Sequence, residues 1–137
     1  MKQLLAAVFV TAFAVCSAVG QSRSAQNSAA STRDLQITNG PVAEYISDSN
    51  CTIGWSTSAS GTMSLRYGTD PAKLTHTAET VESKDGRNHH VQLSGLTPNT
   101  RYYFRVVDSG SPISGVGTFQ TGAENDPPIR SKATIPQ

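Results

Sequence analysis

The chain has 137 residues, of which 36% are hydrophobic and only 15% charged, against about 25% charged in an ordinary soluble domain. That length holds one small domain and leaves no room for a two-lobed enzyme with a buried cleft between its halves. The formal charge is +1, and ten basic residues against ten acidic remain once Lys2 is set aside with the leader described next, so no electrostatic footprint for nucleic acid or anionic lipid exists.

Residues 1–20 read as a cleaved secretory signal peptide. Met1 and Lys2 make a short basic start, residues 4–15 an apolar run broken by Thr11, and Ala18-Val19-Gly20 a small-x-small site before Gln21. The run is shorter than the roughly 20 apolar residues of a spanning helix, so no membrane insertion is expected after cleavage. The destination is then secretion, the cell surface or the periplasm. Lipidation at Cys16 is an alternative, although Phe13-Ala14-Val15 lacks the small residue that a bacterial lipobox sets before its cysteine. Cleavage after Gly20 leaves Cys51 as the single cysteine, and an intramolecular disulfide is excluded. Cys51 sits in an apolar alternating run and is expected to be a small buried hydrophobe. A monomer is expected, with a disulfide dimer as the outcome of an exposed thiol. Asn50-Cys51-Thr52 matches the N-glycosylation tripeptide, a pattern common by chance.

Residues 21–33 have no apolar periodicity and are expected to form a flexible linker, because they bury too little to offset their ordering entropy. Residues 34–122 alternate short apolar and polar stretches, punctuated by Gly, Pro, Asn and Asp at the spacing of an all-β sandwich or barrel. Leu35-Gln36-Ile37 alternates up to the Asn39-Gly40-Pro41 break, and residues 42–46 make a second short piece. Cys51, Ile53 and Trp55 share one strand face, since side chains alternate with period two, and Trp55 is a core anchor. Met63, Leu65 and Tyr67 repeat the pattern. Residues 74–81 are Thr-rich and polar and suit an exposed edge strand. Asp85-Gly86 is a hairpin turn, followed by Val91 and Leu93 pointing inward. A further strand carries Tyr102, Phe104 and Val106 inward, and the last runs over residues 115–121, with Val116 out of phase with Phe119. Six or seven strands result, and no window outside the leader requires helix. Residues 123–137 hold three prolines and no strand or helix pattern, and an extended or disordered tail is expected.

Leu96-x-Pro98-x-Thr100-x-Tyr102-x-Phe104-x-Val106, preceded by Val91-x-Leu93-x-Gly95, resembles the fibronectin type III signature, an immunoglobulin-like sandwich of about seven strands. Tyr102 then serves as a tyrosine corner, its ring packed inward and its hydroxyl bonded to backbone near Leu96. More narrowly, residues 88–96 and 101–106 resemble the fibronectin-like N-terminal domain of purple acid phosphatases, a likeness covering about residues 37–121. In that family the dinuclear metal site lies in a separate, larger domain. Here the chain stops fifteen residues after the sandwich, so the resemblance implies a fold and an accessory role and carries over no catalytic or metal-binding residue.

The remaining chemistry is sparse. His89 and His90, with His76 as a third, are a conceivable metal set, but adjacent strand residues face opposite ways and their rings do not converge. No zincin, Cys-x-x-Cys, phosphate-loop or nucleophile-elbow motif occurs, and neither catalysis nor a cofactor is expected. The best contact surface is the outward set Tyr103, Arg105 and Val107, with Arg66 and Ser64 on the neighbouring strand, because Tyr and Arg are common at interface hot spots. The Gly- and Ser-rich loops 56–62 and 108–114 offer another. The expected function is binding or spacing by an exported, non-catalytic module, with an unidentified protein or cell-surface polysaccharide as partner. The alternative is an accessory domain acting beside a separate hydrolase. A dedicated carbohydrate-binding face is disfavoured, since Tyr103 is the one clearly outward aromatic and Tyr45 is unassigned.

Overall fold

The computed structural model describes residues 35–137, so the signal peptide, Cys16 and the linker expected over residues 21–33 lie outside the described residues. Among the described residues ten strands form, in chain order β1 (Ile37–Ile46), β2 (Cys51–Thr57), β3 (Met63–Gly68), β4 (His76–Glu79), β5 (Val81–Glu82), β6 (Asn88–Leu93), β7 (Arg101–Asp108), β8 (Ser111–Pro112), β9 (Gly117–Gln120) and β10 (Ile129–Arg130). Seven have four residues or more, and there is no helix among the described residues. One antiparallel sheet runs β10-β1-β2-β6-β5 and the other β4-β3-β7, with β8 and β9 both pairing along the far side of β7. The architecture is the expected immunoglobulin-like sandwich.

Period-two alternation builds the core between the sheets. Cys51, Ile53, Trp55, Val91 and Leu93 come from the first sheet, and Met63, Leu65, Phe104, Val106 and Phe119 from the second, all almost fully buried. Aromatic stacking ties them together, with the Tyr102 and Phe119 rings 5.5 Å apart and 16° from parallel. Tyr102 makes the expected corner: its hydroxyl accepts the Thr97 N–H at 2.9 Å.

Three segments differ from expectation. The break at Asn39-Gly40-Pro41 does not end a strand, because register shifts on either side of Asn39 absorb it as bulges within β1. Gly40 has φ +79°, and a Cβ there would lie 2.8 Å from the Gly54 carbonyl oxygen, so only glycine fits. The polar stretch 74–81 is not one edge strand; it changes sheets at Thr80, whose hydroxyl donates to the Met63 carbonyl at 2.9 Å. Before that point β4 borders one sheet, and after it β5 borders the other. The last sandwich strand begins at Gly117, leaving Val116 exposed ahead of it.

The tail, expected to be extended or disordered, is extended and lies against the sandwich. β10 pairs with β1, Arg130 opposite Tyr45 and Ile129 opposite Ile46, and the Ser131 N–H donates to the Glu44 carbonyl at 2.8 Å. Ile135 is buried, and its N–H donates to the Glu44 carboxylate. The free edge of β1 supplies the hydrogen-bonding partners that the tail's own composition lacks.

Candidate functional site

Arg66 and Arg105 are brought together by strand register. In the β3–β7 pair Arg66 stands opposite Arg105, Ser64 opposite Val107 and Gly68 opposite Tyr103. Their neighbours Leu65, Phe104 and Val106 fill the core, so alternation turns this set to the outer face. Arg66 is exposed, and Tyr103 and Arg105 are half-buried.

Val107 is a correction to the expected contact set. It lies on the outer face but is 3% exposed. Pro112 of β8 stands opposite it, and Pro71 and Leu74, from the β3–β4 connection, line the same small cavity. The alternation of β7 was legible, but what the flanking loops cover was not. Arg101 was missed, although it precedes Tyr103 by two residues and shares its parity; it is exposed at the start of β7. The cavity measures about 140 Å³, and its polar lining is Arg66 and Arg105.

A larger cleft of about 640 Å³ lies on the other sheet, where the C-terminal segment crosses its outer face. Tyr45, Asn50, Thr52 and Gln92 form its floor, and Arg130 and Gln137 belong to the crossing segment. The Arg130 guanidinium sits 5.1 Å above the Tyr45 ring, so this tyrosine is covered by the chain itself. The cleft had no signal in the sequence, because it exists only once the tail docks.

The histidines take separate places. His89 is fully buried and stacks on Trp55, ring centroids 5.5 Å apart. Its Nε2 lies 2.9 Å from the Thr57 hydroxyl, whose single proton goes to the Ala59 carbonyl at 2.8 Å. Nε2–H is therefore the donor, and Nδ1 carries the lone pair, 3.8 Å from the Glu82 carboxylate. Burial holds the His89 pKa below its ordinary value, with Glu82 pulling the other way. His90 points outward to Glu44 at 3.3 Å, and His76 stacks on Tyr67 in the other sheet. Among the described residues no three His, Cys, Asp or Glu side chains are grouped to hold a metal ion. Cys51 is free and buried, and burial pushes its thiol pKa up to about 12, a state inert as a nucleophile at neutral pH.

Three solved structures share the fold, each a sensor domain of the anti-sigma factor RsgI4 in Pseudobacteroides cellulosolvens. A short form is 24% identical, with 66% of this chain and 94% of that one covered and a TM-score of 0.50. A long form is 23% identical, covering 76% and 98% at a TM-score of 0.51, and a solution structure is 22% identical, covering 67% and 76% at 0.52. No curated protein matches the chain. The family model described as "Purple acid Phosphatase, N-terminal domain" matches residues 38–121, from the second residue of β1 to one residue past β9. The chain belongs to the purple acid phosphatase N-terminal domain family.

Proposed function

We propose that this protein is an exported, non-catalytic module that acts by binding, with the outer face of the β3–β7 pair as its contact surface. One observation carries the reading: the chain's own C-terminal segment crosses the outer face of one sheet, while the other sheet presents Arg66, Arg101, Tyr103 and Arg105. Tyr and Arg supply large, rigid contact area with hydrogen-bonding ends, the chemistry of interface anchors. Export rests on the leader of residues 1–20, which would direct the module to secretion, the cell surface or the periplasm.

The family membership favours a second reading, an accessory domain working beside a separate hydrolase. Both readings meet one test. The leaderless protein, residues 21–137, is immobilised beside a Tyr103→Ala, Arg105→Ala double variant and exposed to envelope and extracellular fractions of the source cells. Retention of one protein or polysaccharide by the parent and its loss by the variant is the expected result. Retention equal in both moves the contact surface elsewhere. A retained phosphatase favours the accessory reading.

A further inference from the structure

The outer face of the β3–β7 pair carries an electrostatic cost that folding leaves in place. Directly opposed side chains in an antiparallel pair stand about 4.5–5.5 Å apart at Cβ, and like charges so placed repel; here the two are Arg66 and Arg105. Among the described residues neither guanidinium lies within salt-bridge distance of a carboxylate; the carboxylate contacts of that length are made by His89 and His90, both on the other sheet. The carboxylate nearest in register is Glu79, opposite Ser64 on the edge strand β4, and it pairs with neither. The Arg105 Nε is buried and has no hydrogen-bond partner, although buried donors are almost always satisfied. An acceptor arriving from outside at the exposed Arg66 guanidinium would relieve the repulsion.

The adjoining cavity specifies what accompanies that acceptor. Pro71, Ala72, Leu74, Val107 and Pro112 wall it, and its roughly 140 Å³ is close to the ~150 Å³ cavity that takes up benzene in an apolar protein interior. One branched or aromatic side chain fits there. A guanidinium pair matches the planar fork of a carboxylate, and an apolar wall suits a peptide side chain better than the hydroxyl-rich ring of a sugar acid.

We propose that this face docks an acidic protein segment, with a carboxylate held between Arg66 and Arg105 and a neighbouring apolar side chain in the cavity lined by Val107. The proposal rests on the contact surface named above. Its test is a titration of the protein with a terminally blocked peptide alternating leucine and aspartate, against the same peptide carrying asparagine, followed by arginine Nε–Hε NMR signals and calorimetry. The aspartate peptide is expected to shift the Arg66 and Arg105 signals saturably, with affinity at least tenfold weaker for the asparagine peptide and for Arg66→Gln. Because Arg66 is exposed, that variant leaves the core intact, and an unchanged melting curve verifies it. Equal binding of the two peptides, no saturable shift with either, or undiminished affinity in Arg66→Gln overturns the proposal. Saturation by polygalacturonate in place of the peptide also overturns it, assigning the face to an acidic sugar. Failure here with the envelope partner still lost in the double variant refutes the acidic-peptide assignment alone, whereas a partner retained by that variant refutes the contact surface itself.

Discussion

Tyr102→Phe removes one oxygen atom and tests the turn that closes the sandwich. The hydroxyl accepts the Thr97 N–H at 2.9 Å, and although Tyr102 is 7% exposed, Thr97 is an exposed residue, so water replaces part of the lost bond. A neutral hydrogen bond contributes about 1 kcal/mol net, and the cost is expected near that figure. In a domain of this size about 1 kcal/mol corresponds to a melting-temperature drop of roughly 4–8 °C. The ring itself stays, since Phe keeps the stack on Phe119 at 5.5 Å, so packing loss does not confuse the result. The assay is urea unfolding followed by the fluorescence of Trp55, the single tryptophan and fully buried. Tyr102→Leu is the control: it removes the aromatic stack as well and is expected to cost more, toward the lower end of the ~3–5 kcal/mol seen for aromatic truncation. A Tyr102→Phe change smaller than about 0.3 kcal/mol would mean that Thr97 finds another acceptor and that the corner adds nothing to stability.

Acid is expected to weaken the fold through His89. Its folded pKa lies below the ordinary 6.5, so the unfolded chain binds more protons in the window between the two values. Stability is full above about pH 6.5 and falls as pH drops through that window toward the folded pKa; a urea midpoint flat between about pH 7.5 and 5.5, or unchanged in slope by His89→Gln, contradicts this. Cys51 should resist a thiol reagent in the native protein and react only on unfolding, because its pKa is pushed up to about 12; a dimer band on a non-reducing gel refutes its burial. Gly117→Ala places a methyl group against the Phe104 ring, and overpacking of this kind costs about 1–3 kcal/mol in the same urea assay. Ile135→Ala should release the C-terminal segment without unfolding the core, raising amide exchange over residues 129–135 tenfold or more while the Trp55 transition stays put; a matching shift in global stability would show that the segment is part of the cooperative core.

What could be read from the amino acids depended on how many residues a feature spans. β2, β3, β6 and β7 each have six residues or more, enough alternation to assign Trp55, Leu65, Val91 and Phe104 to the interior. The tyrosine corner was legible too, because Pro98, Thr100 and Tyr102 sit at fixed offsets within one turn. Pairings of two residues leave no period to detect, which is why β5 and β10 went unseen and why the C-terminal segment read as a tail. Its docking depends on a partner 80 or more residues away, Glu44, which takes both the Ser131 and Ile135 N–H groups.

The same limit explains the mixed outcome at the contact surface. Alternation places Arg66, Tyr103, Arg105 and Val107 on one face, and register makes Arg66 and Arg105 partners. Whether each remains accessible is settled by β8 and the β3–β4 connection, which bury Val107 yet stop short of Arg66. Covering the valine while leaving Arg66 exposed and Arg105 half-buried converts a strand pattern into a site with an apolar floor and a cationic rim. Removing Pro112, which stands opposite Val107, tests that division. Pro112→Gly should expose the floor and weaken capture of an apolar side chain, while leaving the salt-sensitive attraction of the arginines intact; loss of both together would mean that floor and rim are not separable.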